Sequence, residues 1–273
     1  MVAALRSIRV RRGLVALLAL LALYGLAAQI ASGRLPTRVS LPMHDIEGVE
    51  LLPTYSSLVE EGVFLVQAGI LLKGAAVSTG RVLAGLLLGA VVGIALGLAM
   101  GWAAGFEYVL DPWVVLLRFT PALALLPLYV LWFGLGEAAK IGLIATAVAV
   151  VTLQGAYQGV RAIPGVYWDA AAALAAPRSL VLRRIVLPAA LPQILASLRI
   201  AIALGWVTVI AAELIKPSMP SLGYLLALAG AYPRVPTIVI ALAAIALLVL
   251  VSDGLTLAAY RWATRWMRRR RYA

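Results

Sequence analysis

Four ionisable side chains lie inside stretches that are otherwise apolar enough to cross a bilayer: Arg118, Arg199, Glu213 and Asp253. A charge at the centre of a membrane costs about 2.5 to 3.5 kcal/mol on translocon scales, so each needs a partner, water or a function. Arg199 lies about two turns into the stretch 191–215, and Asp253 about two turns from the end of 235–260. Antiparallel neighbours would bring them to one depth, which predicts an Arg199–Asp253 pair. Arg118 falls at one end of the stretch 112–136. Glu213 falls near the opposite face, as a gate or path contact or as a helix-end carboxylate in the interface. All four form a candidate path or charge network, and the two acids could instead serve as proton or sodium sites. Catalysis finds no footing. There is no cysteine, His44 is the single histidine, and no close acid pair or His-Glu-x-x-His run occurs. No catalytic residue and no metal site is predicted.

These residues must be positioned by membrane helices. Of 273 residues, 64% are apolar and 12% charged, far from the roughly one-quarter charged content of soluble domains. Six stretches carry about 20 apolar residues each: 13–33, 82–106, 112–136, 141–160, 191–215 and 235–260. The first could also be read as a signal peptide, but its apolar run is long for one. The expected fold is all-α and polytopic, with six transmembrane helices. Its expected parts are a tail and first helix (1–33), an external segment (34–80), a transmembrane core (81–260) with a cytoplasmic loop at 161–190, and a basic tail (261–273). Basic residues divide fourteen to seven between the two sides, which predicts both termini and that loop in the cytoplasm. The net charge of +12 is thereby read as topology and lipid contact, not nucleic-acid binding. From Thr54 onward, Leu58, Phe64, Leu65, Ile70 and Leu71 are separated by polar positions, as in an interfacial amphipathic helix or an irregular cap.

The loop 161–190 is the most informative segment. Residues 170–176 are alanine and leucine, good helix formers, and Pro177 should end that helix. Leu180 to Val186 can form a second short helix, with Pro188 and Pro192 at the first turns of the next span. A helix, a break and a helix with exposed apolar side chains suggest a docked partner.

This segment resembles the EAA loop of binding-protein-dependent ABC importer permeases. Asp169 takes the acid position, Ala170 and Ala171 the alanines, Ala175 the glycine position, and Ile185-Val-Leu187-Pro188 the end of the motif. Arg118-Phe-Thr-Pro-Ala-Leu-Ala-Leu-Leu-Pro127, Leu131-Trp-Phe-Gly-Leu-Gly136 and Ala211-Ala-Glu-Leu-Ile215 are similar to the nitrate, aliphatic sulfonate and taurine permease subgroup. The resemblance implies the type I importer permease fold and a transport subunit that is not itself an enzyme. It further implies ABC ATPase subunits that carry ATP and Mg, an extracytoplasmic solute-binding protein, and a second permease copy, most simply as a homodimer. No Gly-x-x-x-x-Gly-Lys-[Ser/Thr] phosphate loop occurs in the chain. Asp169 with Arg183 or Arg184 would make loop-fixing polar contacts. Ala170, Ala171 and Leu174 would present the docking surface, with Pro177, Leu187 and Pro188 shaping the loop. An alanine at position 175 costs on the order of 1 kcal/mol if the turn there is left-handed, unless Pro177 takes over the break. The competing class is a secondary transporter driven by an ion gradient.

Three further patterns bear on packing. Gly85, Gly89, Gly93, Gly97 and Gly101 form a stripe that lets another helix approach closely. Pro121 and Pro127 interrupt the third stretch and free backbone carbonyls. Trp102, Trp132 and Trp206 lie near expected helix ends, as interfacial anchors.

Overall fold

The structure is a computed structural model that describes residues 53–215, 217–218 and 220–265, with the backbone of 38–41 and 44–47. The first apolar stretch and the end of the basic tail lie outside the described residues. The chain is built of helices: α1 (Tyr55–Gln67), α2 (Ile70–Trp102), α3 (Ala104–Phe119), α4 (Leu126–Phe133), α5 (Glu137–Arg161), α6 (Gly165–Ala173), α7 (Arg178–Val181), α8 (Leu187–Ile215), α9 (Leu222–Ala231) and α10 (Val235–Ala263). A short antiparallel hairpin, β1 (Arg38–Leu41) with β2 (His44–Glu47), precedes them. Among the described residues, four helical stretches are long and apolar enough to cross a membrane: α2, residues 178–215, α5 and α10. The bent pair of α3 with residues 122–133 makes up to a fifth.

By contact density the chain divides into two units. In the smaller one, residues up to 72 and 225–243, Thr54 caps α1 by accepting from the Ser57 N–H at 3.4 Å. Leu65 packs there with Leu225 and Ala241, and the Thr237 hydroxyl donates to Glu61 at 2.5 Å.

The larger unit, residues 73–224 and from 244 on, is organised around α5. The glycine stripe faces it. A Cβ added at Gly85, Gly89, Gly93, Gly97 or Gly101 would come within 3.0 Å of α5 atoms, including the carbonyl oxygens of Ala145, Ala149 and Leu153. On another side of α5, Gly155 gives room to Ser197 and Gly159 to Ala190, both on α8. Small residues at the seams let these backbones touch, and dispersion then holds helices that lipid would solvate equally well.

Three expectations about the helices change. The second span does not begin at Val82, because α2 runs unbroken from Ile70 and carries Arg81 in its interior. The stretch 112–136 is not one continuous helix. The chain is extended at Thr120 (φ −81°, ψ 121°) and turns by 98° before a 3-10 turn at Ala122–Leu125 leads into α4. Pro121 makes this break because it disfavours helical geometry in the residue before it. Pro127 only occupies the first turn of α4, where its missing N–H costs nothing. Finally, the second loop helix is not separate from the next span. α7 passes through a π turn at Leu182–Val186 into α8 without a break. The wider turn accommodates Pro188, whose ring would otherwise strike the carbonyl of Arg184.

Candidate functional site: coupling loop and charge network

The loop between α5 and α8 is fixed mainly by backbone and apolar contacts. α6 ends in a Schellman motif. The Leu174 N–H donates to Ala170 O at 3.1 Å, Ala175 N–H to Ala172 O at 3.0 Å, and Ala176 N–H to Ala171 O at 3.0 Å. Ala175 is the C′ residue and stands at φ 47°, the single non-glycine with positive φ among the described residues. The left-handed turn is therefore made by an alanine. Pro177 does not take over the break, but begins α7 in extended conformation. Beneath the loop, Ile163, Val186, Ala190 and Ile194 are buried together with Ala156 and Val160. Trp168 meets Trp102 edge-on at 5.8 Å.

Among the described residues the expected polar contacts of the loop are not made. Asp169, Arg183 and Arg184 are exposed, and none has a hydrogen bond or ion pair among the described residues. Ala171 is buried and faces the protein, unlike Ala170, which is exposed. Leu174 is 81% exposed, with Val166, Tyr167 and Leu180 also open. Pro177 is exposed, Leu187 partly so, and Pro188 is half-buried.

Of the in-span charges, Arg199 and Asp253 meet. Arg199 donates through Nε to Oδ1 and through Nη2 to Oδ2 at 2.6 Å, a fork between α8 and α10. Nearby, Trp206 is buried and its Nε1 donates to Ser252 Oγ at 3.3 Å. Trp206 is thus a buried packing residue, Trp102 is partly buried at the end of α2 against the cluster beneath the loop, and Trp132 is exposed.

Glu213 is neither an interfacial carboxylate nor part of an open path. It is fully buried and accepts from three donors. Arg81 Nη1 donates to Oε1 at 2.6 Å, and the Ser78 hydroxyl lies 3.0 and 2.9 Å from the two oxygens. The Gly223 N–H donates to Oε2 at 2.9 Å. The Leu222 N–H donates to Ser78 Oγ at 3.1 Å. Glu213 and Ser78 therefore satisfy orphan donors at the start of α9, where a negative charge is also favoured by the helix dipole. Arg81 continues as a fork to Glu137, through Nε at 2.6 Å and Nη2 at 2.5 Å. Lys140, also buried, donates to Ser218 Oγ, which lies 3.3 Å from Arg81 Nη2. Two cations and two carboxylates compensate one another, and no buried side-chain N or O among the described residues lacks a partner.

In the sequence Arg81 and Lys140 stand just outside the apolar stretches 82–106 and 141–160, among the seven basic residues of the second side, and nothing there singles out Ser78 or Glu137. One signal was available. From Ile70 to Trp102 no proline interrupts the run. An unbroken helix of that length spans about 50 Å, more than the bilayer core, and so places Arg81 about four residues past its first two turns.

Arg118 lies beside the middle of α5. It borders a recess of about 290 Å³ at the break between α3 and the 3-10 turn, with Thr120, Thr146, Val150, Gln154 and Leu204. It lies in the last turn of α3, directly before the break at Thr120, and not near the start of a span running 112–136.

The family profile described as "Binding-protein-dependent transport system inner membrane component" matches residues 74–269. The chain belongs to this family. It is 36% identical over 222 residues to a probable ABC transporter permease protein of Brucella abortus, covering 81% of this chain and 88% of that one. It is 39% identical over 158 residues to the taurine transport system permease protein TauC of Escherichia coli, covering 58% and 57%. Its fold is similar to a chain of the MetNI methionine ABC transporter in an inward-facing conformation. The TM-score is 0.64 at 18% identity, and the match covers 71% of this chain and 96% of that one. The permease is thus a multi-pass membrane transport subunit of the ABC importer class.

Proposed function

We propose that the permease forms one half of the path of an ATP-driven importer and works as a homodimer. Two ATPase subunits carrying ATP and Mg dock on the loops at 161–190, and an extracytoplasmic binding protein delivers the solute. In this reading both termini and the loop face the cytoplasm. The solute is a small anion of the sulfonate type, by likeness to the taurine permease.

The observation that carries this reading is the loop's construction. α6 presents Val166, Tyr167 and Leu174 outward, while Ile163 and Val186 weld it to both neighbouring long helices. A knob so mounted moves as a rigid body with α5 and α8. ATP-driven closure of the ATPase pair would rock these helices between two states, each favoured by different contacts. An ion-gradient carrier is less well supported, because Glu213 and Asp253 each already hold an arginine.

The test is a photo-crosslinker at Leu174 in cells, followed by sequencing of the crosslinked partner. A partner containing a phosphate-loop motif, together with vanadate-sensitive uptake, supports the reading. Uptake that ignores vanadate and collapses with an ionophore overturns it.

A further inference from the structure

Among the in-span arginines, Arg118 is the exception. Arg81 and Arg199 each grip carboxylates, whereas Arg118 has no ion pair and no hydrogen bond among the described residues. Its recorded contact is with the Phe119 ring, 5.2 Å from the centroid. The recess it borders lies against Thr146 to Gln154, halfway along the 25-residue α5. Arg118 is exposed in the last turn of α3 and holds no carboxylate, and charges of this kind within apolar helices mark ion and substrate pathways. Broken helices likewise accompany solute sites near the midplane of transporters, and here the break at Thr120–Pro121 forms one wall.

The hydrogen-bonding inventory narrows the ligand. The Thr120 hydroxyl donates to Leu116 O at 2.8 Å, and Thr146 Oγ1 lies 3.0 Å from Gly142 O and bonds to Tyr129. Their protons are committed. The donors left are the guanidinium of Arg118 and the amide of Gln154, which also has no partner among the described residues. Val150 and Leu204 supply apolar wall. At about 290 Å³ the space sits at the small end of ligand pockets, which run from about 300 to 1,000 Å³.

We infer that this recess is an anion subsite of the transport path, in which Arg118 and Gln154 hold the oxyanion head of a small sulfonate-like solute and the apolar wall takes its carbon chain. This rests on the reading of the chain as a permease for a small anion, but its test needs neither ATPase nor binding protein.

Because the chain has no cysteine, one introduced thiol reports one place. The full chain carrying Gln154→Cys, or Val150→Cys as a second reporter, is placed in lipid nanodiscs. Each is reacted with an anionic sulfonatoethyl and a cationic trimethylammonioethyl methanethiosulfonate reagent. The anionic reagent should react faster, and Arg118→Gln should lower the anionic-to-cationic rate ratio on the order of tenfold, the effect of removing one nearby charge. Arg118→Lys should keep most of the preference. Taurine should slow modification of the Val150→Cys reporter with Arg118 present and not with Arg118→Gln, while choline chloride should slow neither, separating an oxyanion site from a general positive field. A ratio insensitive to Arg118→Gln, absence of taurine protection, or two unreactive reporters overturns the inference. Success here with no ATPase partner at Leu174 would keep the anion site and discard the ATP-driven reading.

Discussion

Ala175 adopts a backbone conformation that its side chain disfavours, with φ at 47° in the C′ position of α6. The cost of a left-handed alanine is about 1 to 2 kcal/mol. Ala175→Gly should therefore raise the unfolding midpoint in detergent by an amount equivalent to about 1 kcal/mol, and Ala175→Val should lower it. Equal midpoints for all three would mean the turn is not left-handed in solution. Glu213 is the opposite case, a buried charge whose two oxygens are both held by donors. Removing one partner of a buried ion pair leaves the other uncompensated, typically at about 3 to 5 kcal/mol. Glu213→Ala and Arg81→Ala should each lose most folded yield by size-exclusion chromatography. Arg81→Met with Glu213→Leu should be milder than the sum of the singles, because Glu137 and Lys140 remain to balance each other. Additive losses would show that Arg81 and Glu213 do not act as a pair.

Between elements, the seam of α2 and α5 depends on absent side chains. Gly93→Leu would drive a branched chain into Ala149 and Thr152 and should abolish folding, read as loss of a monodisperse peak. Gly80→Ala, with nothing within 4 Å of the added carbon, should be neutral or stabilise by up to about 1 kcal/mol through helix propensity. Gly93→Leu folding as well as the parent would place α2 elsewhere. The Arg199–Asp253 fork joins α8 to α10 across an exposed surface. Activity lost in Arg199→Gln or Asp253→Asn should return when the two charges are exchanged, measured as uptake in vesicles. The glycine stripe was legible in the sequence because a four-residue repeat marks one helix face whatever the partner. The partner itself, α5, was not legible, since its apolar positions look alike from every side.

For the whole molecule, the consequence is mechanical. Leu174→Asp puts a charge on the most exposed apolar side chain of the loop without touching the buried cluster beneath it. It should leave the melting curve of the isolated permease unchanged and abolish crosslinking and ATP-driven uptake. A shifted melting curve would reassign Leu174 to folding. The separation is possible because the buried contact of α6 is made by Ala171, whereas Leu174, its C-cap residue, is left open.

Composition and apolar run length already determined the solvent, the helical class and the position of the loop, because lipid requires every span to satisfy its own backbone. The loop's order of acid, alanines, proline and Leu-Pro pointed to the family for the same local reason: a short helix and its break are encoded by adjacent residues. Depth and pairing were decided by tertiary structure. Arg81 reads as a loop charge until α2 is continuous. Glu213 reads as a gate until the start of α9 folds back onto it. Arg118 reads as a charge near the start of one span until the chain turns at Pro121 and leaves it in the last turn of α3. In each case the side chain's environment comes from residues tens to more than a hundred positions away, and the free energy of a charge depends on that environment more than on its neighbours in the chain.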